Sequence, residues 1–500
     1  MITTLKQTLL GKTIAFILLG MTFAALAPSA FAESKDRDRP NFLFIMVDDL
    51  NDWIGAMGVH PDVQTPHIDR LAESGSLFLN AHCPAPICGP SRAALWTGRA
   101  PSTTGIYLHI ADDRIQDNLP DDVEARFLPD LLEETGYHTL GAGKLFHNGD
   151  RAGVFDDYGP GFDFGPRPAA GFRLNFEPDW TGPFQTSTDW GAFPEDETTM
   201  PDYAIREWAL SKLEGELPQP FFMGVGFVRP HVPWYVPQEW FELYEEAELW
   251  TPPYLPDDLE DVPAIARLLQ QIPGFPTTEW AQMAGEWQAI VHAYLACTSF
   301  VDHQVGLVLD ALAESPYADN TIIILASDHG YHLGEKNRFA KMALWERSTR
   351  IPLIVAGDGL PRGRRIDQPV NLMDLYPTVL ELAGATPATP LEAHSLLPLI
   401  QDGTPAEWNH VARTTHGRNN HAIRDGRFRY IVYEDGSEEL YDHDTDPWEH
   451  HNLAENPEFA PILQRLRAEL PGDDAPLAAE SHLPGSPFLR LRSEAWRKEQ

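Results

Sequence analysis

The chain predicts an α/β fold: a mostly parallel sheet flanked by helices, with a small C-terminal antiparallel-sheet subdomain. Two observations lead there. Strand-like apolar runs alternate with amphipathic helical patterns up to about residue 400, the arrangement that buries a parallel sheet between helical layers. Beyond Ile400 the pattern changes to short alternating runs, as in a half-buried antiparallel sheet. Five hundred residues at 43% apolar composition supply a large core, and length alone allows about two to three domains.

Asn41 to Val47 is a continuous apolar run that reads as a buried strand, and Asp48-Asp49 follows at once. Pro66 to Ser74 reads as a helix with proline in its first turn. Phe127 to Thr135 is a second helix, and Tyr137 to Ala142 a strand leading to Lys144. Phe221 to Phe227 is a strand leading to Arg229-Pro230-His231. A helical pattern covers Thr278 to Leu312, longer than most globular helices and therefore expected to break. Thr321 to Ala326 is a strand followed by Ser327-Asp328-His329-Gly330, Ile351 to Ala356 another strand, and Met373 to Ala383 a helix. His421 to Arg424, Phe428 to Glu434 and Glu439 to Asp442 form the antiparallel runs, with a helix near Pro457 to Leu470. The proline- and aromatic-rich stretches Asp150 to Pro201 and Val232 to Pro276 are long enough to expect a function; their aromatics suit either sugar stacking or the core. The organisation expected is a signal peptide over residues 1–32, a catalytic domain over 33–400 and a C-terminal subdomain over 401–500.

The N-terminus carries basic Lys6 and Lys12, a mostly apolar stretch from Thr13 to Ala25 and a small-x-small cleavage site at Ala30-Phe31-Ala32. This is the grammar of export to the periplasm or beyond. No second apolar span follows, so no membrane span is expected after cleavage. Removing residues 1–32 deletes two lysines and no acid, taking the formal charge from −37 to −39. So strong an acidic excess argues against nucleic acid as a partner, and an anionic substrate must then meet a local basic cluster. Three cysteines do not make a disulfide framework in a chain of this length, and Cys83 and Cys297 are expected to be unpaired thiols.

The most informative segment is Cys88-Gly89-Pro90-Ser91-Arg92, set just ahead of an apolar helical pattern. A helix N-terminus presents free N–H groups and favours a bound anion. On its own the cysteine also fits a buried inert thiol or an ordinary reactive thiolate. In open parallel sheets ligands bind at the carboxyl ends of the strands, and Asp48-Asp49 and Asp328-His329 both stand at such ends. A lone Asp-Asp is usually a cap or turn. Two pairs at equivalent places suit a divalent cation of the calcium or magnesium type. Single lysines are ordinarily solvated and single histidines structural, so Lys144, His147, His231 and Lys341 gain meaning only within their motifs.

Those motifs are Cys-x-Pro-Ser-Arg at 88–92, Val47-Asp48-Asp49, Gly143-Lys144-Leu145-Phe146-His147, Arg229-Pro230-His231-Val232-Pro233, Asp328-His329-Gly330 and Ala340-Lys341. In this order they resemble the type I, formylglycine-dependent sulfatases of the alkaline phosphatase superfamily, nearest the iduronate-2-sulfatase branch. The resemblance implies a glycan sulfatase with Cys88 oxidised to 3-oxoalanine by a formylglycine-generating or sulfatase-maturating enzyme before folding. It implies one Ca2+ held by Asp48, Asp49, residue 88, Asp328 and His329. Arg92 would position the hydrated aldehyde, Lys144 and Lys341 would neutralise sulfuryl oxygens, and Asp328 would act as base. His231 would protonate the departing sugar hydroxyl, and His147 would help collapse the resulting hemiacetal. The implied partner is a sulfated saccharide; His416, Arg418 and His421 are candidates for reading its carboxylate or hydroxyls, or are surface polar residues. Two other readings stay open here: a phosphodiesterase or phosphonate hydrolase of the same superfamily, and a sulfatase acting on an algal polysaccharide rather than iduronate. A catalytically silent glycan-binding relative would be marked by a lost nucleophile or metal pair, and neither is lost.

Overall fold

A nine-stranded sheet organises the computed structural model, which describes residues 39–148, 153–169, 172–178, 186–387, 389–403, 408–482, 489–492 and 494. The expected signal segment 1–32 lies outside the described residues. In chain order the strands are β1 (Asn41–Val47), β2 (Gly75–His82), β3 (His138–Gly143), β4 (Asp157–Tyr158), β5 (Trp190–Ala192), β6 (Phe221–Phe227), β7 (Trp234–Val236), β8 (Thr321–Ser327), β9 (Arg350–Gly357), β10 (Arg364–Ile366) and β11 (Val370–Asn371). The large sheet runs β10-β2-β9-β8-β1-β6-β3-β4, with β11 also paired to β2; β5 and β7 form a separate two-stranded ribbon.

β1 shows why the sheet is central. Phe42, Phe44 and Met46 point into one apolar cluster and Leu43, Ile45 and Val47 into another, each fully buried, because successive strand residues face opposite sides. One cluster is closed by the helices Cys88–Thr97, Leu128–Glu134 and Leu375–Leu382, the other by Pro66–Ser74, Pro201–Leu213 and Trp287–Glu314. Burying each such side chain contributes roughly 1.5–3 kcal/mol. The long helical pattern does break: Thr278–Ala284 ends at Gly285, whose φ of 76° caps it in the left-handed region, and Trp287–Glu314 continues.

The mostly parallel expectation holds with one exception. β9 pairs antiparallel with both β2 and β8, so the sheet is mixed around it. Its apolar run is indistinguishable from a parallel one, since both faces are covered either way. β2 is a strand that the sequence reading did not pick out; it follows the helix Pro66–Ser74 at once and leads into Cys83.

Register then builds the site. β8 and β6 both pair parallel with β1, placing Ser327 and Phe227 beside Val47, and β3 places Gly143 beside Gly226. Four neighbouring strands therefore end on one edge, and the residues that follow are Asp48, Asp328, Val228 and Lys144. Gly143 (φ 74°) is required there: a Cβ would stand 2.1 Å from the Gly226 carbonyl oxygen.

The C-terminal four-stranded antiparallel sheet runs β12 (Ala412–Thr415), β13 (His421–Arg424), β14 (Phe428–Val432) and β15 (Glu438–Asp442), with the helix Ala460–Arg467 packed on it. Thr414 Oγ1 donates to the Cys83 carbonyl (2.6 Å) and Trp345 Nε1 to Glu439 (2.8 Å), tying this sheet to the segments around the site. Cys83, Cys88 and Cys297 are all unpaired and buried. Among the described aromatics of the two long loops, Trp190 (2% exposed) and Trp234 (fully buried) belong to the core. Among the described residues no helix is long and apolar enough to cross a membrane.

Candidate active site

Cys88 opens the helix Cys88–Thr97, all ten residues of which are buried. Its Sγ lies 3.2 Å from His329 Nε2, 3.2 Å from Lys341 Nζ and 3.9 Å from Lys144 Nζ. Burial raises the thiol, but Lys144 and Lys341 outweigh it and hold it below the ordinary thiol range. The three partners follow β3, follow β8 and precede β9, and they lie up to 253 residues from Cys88 in the chain.

The acidic residues form the floor. Asp48 accepts from Arg92 Nη2 (3.0 Å) and pairs closely with Lys144; burial would raise it, yet Lys144, His231 and Arg92 hold it well below the usual carboxylate range. Asp49 takes a positive φ of 61° and accepts from Lys341 Nζ at 2.5 Å. Burial pushes Asp49 up to about 7, against Lys341, and the Asp48 charge adds to the rise. Asp49 Oδ2 is buried with no hydrogen-bond partner, although His231 Nε2 stands 3.8 Å away. Asp328 accepts from Arg92 Nε (2.9 Å) and from the backbone N–H groups of Asp49 (3.3 Å) and His329 (3.1 Å). Ser91 Oγ donates to the Asp328 carbonyl at 2.6 Å, so Arg92 and Ser91 lock the helix start to the end of β8.

Ring orientation is settled by second bonds. His329 Nδ1 contacts the Gly330 carbonyl at 2.9 Å, which assigns a proton there and turns Nε2 toward Cys88. Burial lowers His329, but Asp328 and Cys88 push it up to about 9. His231 is fixed likewise: Nδ1 meets the Val232 carbonyl at 2.7 Å and the ring stacks on Phe164 with centroids 4.5 Å apart. Burial, Lys341 and Lys144 hold His231 well below its ordinary value.

His147 was expected at this site and a second histidine accompanies it. His109 stacks on it at 3.9 Å with an interplanar angle of 6°, and Nδ1 of each ring is buried without a partner. Burial and Lys144 drive His147 down to about 3, and burial and His147 depress His109. His109 packs on the helix start, where a Cβ on Gly89 would meet its Nδ1 at 2.6 Å. No motif marked His109; only its place opposite Gly89 reveals it.

The three C-terminal candidates separate. His421 is engaged on both nitrogens, by Thr415 Oγ1 (3.1 Å) and Asp474 (3.3 Å). Arg418 lies in the turn between β12 and β13. His416 is 1% exposed with neither ring nitrogen partnered, and burial and Arg338 take it down to about 3.

The donor set can hold a divalent cation, its carboxylates suiting a hard ion and the Cys88 sulfur and His329 nitrogen a softer one. Asp48, Asp49, Cys88 and His329 each offer a ligand atom within 4.8 Å of the others, and the orphaned Asp49 Oδ2 adds an unused acceptor. Lys144, Lys341 and Arg92 surround this floor, so the site combines a cation cradle with fixed positive charge, a combination that stabilises a charged tetrahedral oxyanion.

A family model described as Sulfatase matches residues 40–385. The chain belongs to the sulfatase family. A second model, described as N-sulphoglucosamine sulphohydrolase, C-terminal, matches residues 334–474 of this sulfatase. A protein named Sulfatase from Formosa agariphila is 47% identical, with 96% of each chain covered. Mouse iduronate 2-sulfatase is 29% identical over 91% of this chain and 98% of its own length. A solved 2-O GAG sulfatase superposes with a TM-score of 0.65 at 26% identity, covering 90% of this sulfatase and 97% of that chain. The enzyme is thus a sulfuric ester hydrolase on a sulfatase fold.

Proposed function

We propose that this sulfatase is an exported enzyme that removes sulfate from a sulfated sugar of a glycan, using an oxidised residue 88 and a calcium ion. The observation that carries the reading is the convergence of His329 Nε2, Lys341 Nζ and Lys144 Nζ on Cys88 Sγ, above the Asp48 and Asp49 carboxylates. The names of two relatives, iduronate 2-sulfatase and 2-O GAG sulfatase, support a sulfated sugar as the substrate class. The N-terminal basic, apolar and small-x-small pattern supports export.

Cys88 Sγ stands where an oxygen of the hydrated aldehyde would be. Cys88 is 2% exposed, so a maturating enzyme would reach it only before the chain folds. Oxidised and hydrated, residue 88 supplies the attacking oxygen. Asp48, Asp49, Asp328 and His329 would hold the calcium ion, which supplies Lewis-acid charge to the sulfuryl group when bound. Lys144 and Lys341 meet the remaining sulfuryl oxygens, and Arg92 keeps the helix start in register with Asp48 and Asp328. Asp328 is assigned as the base for residue 88.

His231 is assigned the proton for the departing sugar oxygen, since an alkoxide is a poor leaving group. Its Nδ1 is held by Val232, leaving Nε2 to face the substrate. Lys341 and Lys144 depress its basicity; an anionic ester drawn against those lysines offsets their charge and restores proton affinity. His147, with Nδ1 unpartnered, is assigned to the other oxygen of residue 88.

The test is a screen of defined sulfated oligosaccharides, including sulfated uronides and algal polysaccharides, with matured enzyme and released sulfate as the readout. Phosphate diesters run in parallel. Sulfate release from a sugar together with an oxidised residue 88 in peptide mass analysis is expected. An intact thiol in active, natively produced enzyme overturns the chemistry, and faster turnover of the diesters overturns the substrate class.

A further inference from the structure

Arg338 stands apart from the other buried arginines. Arg92, Arg347 and Arg429 each face a carboxylate, and Arg229 spends Nε, Nη1 and Nη2 on three backbone carbonyls. Arg338 is 4% exposed and, among the described residues, pairs with no carboxylate. Its Nη1 donates to Gln270 Oε1 at 3.0 Å and its Nη2 to the Lys341 carbonyl, while Nε–H is buried with no partner. Leaving a guanidinium buried without a counter-charge is costly, and burial pulls this one down to about 9. A group kept in that condition is ready for an anion brought from outside.

Space for one lies beside it. Arg338 lines a cleft of about 470 Å3 between the 259–277 segment and the turn 337–340, within the range of small-molecule sites. Leu268, Ile272 and Phe275 give it an apolar wall, and Gln270 and Ala340 complete the side next to Arg338. The chain links the cleft to the chemistry: Ala340, which lines it, precedes Lys341, whose Nζ is 3.2 Å from Cys88 Sγ. Gln270 also lines the small void at His416, the neutral histidine with two unpartnered nitrogens. A cation with an unused donor beside an apolar wall suits an acidic sugar.

We propose that Arg338, in the cleft it shares with Gln270, is an anion subsite that binds a carboxylate or second sulfate carried by the substrate beside the ester under attack. This rests on the reading of the enzyme as a glycan sulfatase. The guanidinium would donate Nε–H, and a second N–H, to the anion, with selectivity coming from the loss of that bond when the group is neutral.

The experiment compares kcat/KM on a sulfated uronide, on the same sugar with its carboxyl reduced to an alcohol, and on a disulfated neutral sugar with its monosulfated counterpart. Arg338→Gln is expected to lower the acid-to-neutral ratio in one of these pairs by about 10- to 100-fold, mainly through KM. Arg338→Lys is expected to recover part of it. The pair that responds identifies carboxylate or sulfate as the anion. Equal losses on every substrate would mean that Arg338 only braces the Lys341 carbonyl, and would overturn the proposal, as would a wild-type enzyme indifferent to the second anionic group. Equilibrium binding of the same sugars to the Cys88→Ala protein reads the subsite without turnover. If wild type releases sulfate from no sugar the glycan reading fails, whereas loss of the acid preference in binding on Arg338→Gln still decides the subsite.

Discussion

Two buried charge clusters in this protein look alike by proximity and differ in what they leave unused. At the strand ends, Asp48, Asp49, Cys88 and His329 bring ligand atoms together; near the C-terminal sheet, Glu346, His443 and Glu449 do the same. In the second cluster the carboxylates are spoken for. Glu346 pairs with Arg429 and with Arg424 (3.4 Å), and Glu449 forms an ion pair with Arg429 (2.7 Å), meets His443 Nε2 (3.0 Å) and accepts from the Glu346 backbone N–H (2.8 Å). The first cluster retains an orphaned Asp49 oxygen and unpartnered His147 and His109 nitrogens. Saturated charge is a brace, and unsaturated charge converging on one reactive atom is a site.

Breaking the first cluster is expected to cost function. Cys88→Ala should abolish sulfate release while circular dichroism and the melting profile stay near wild type; retained turnover would remove residue 88 from the chemistry. Chelation should lower both activity and Tm, and calcium should restore both, because a ligand that binds only the folded state stabilises it. A Tm indifferent to calcium would argue against the cradle. His231→Ala should reduce kcat/KM on a sugar sulfate by about 100- to 10,000-fold. It should do far less on a nitrophenyl sulfate, whose leaving group departs without a proton; equal losses would take His231 out of the acid role.

Breaking the second cluster is expected to cost stability instead. Glu449→Gln should destabilise by about 3 kcal/mol in denaturant unfolding, since it leaves Arg429 buried with half its partners, with turnover per folded molecule retained. The smallest effect concerns pH. Burial raises Glu449 and Glu346, but Arg429 and His443 outweigh it, so both sit below their unfolded values. Their stabilisation is therefore full above the unfolded pKa near 4.5 and disappears as pH falls through the lower folded values. Glu449→Gln should flatten the acid limb of the stability curve, and an unchanged limb would show that this cluster contributes nothing to it.

Much of the site was legible because motif and strand end coincide. Asp48, Lys144 and Asp328 each stand within two residues of the end of an apolar run, so a parallel arrangement brings them to one edge whatever the loops do. The direction of β9 was not legible, since a fully covered strand carries no mark of its polarity. Nor was β2, which directly follows the helix Pro66–Ser74. The aromatic loops were ambiguous because a tryptophan suits a core and a sugar equally; burial decided for the core at Trp190 and Trp234.

The alternation of buried strands and helices, the change of pattern after Ile400 and the chemical types at the strand ends are written in local sequence, because these depend on neighbours along the chain. Which charges are matched follows from the folded chain alone. Asp49 meets Lys341 across 292 residues, His109 meets His147 face to face, and among the described residues Arg338 meets no acid. Such pairings depend on register and on the packing of distant segments, which no local pattern records.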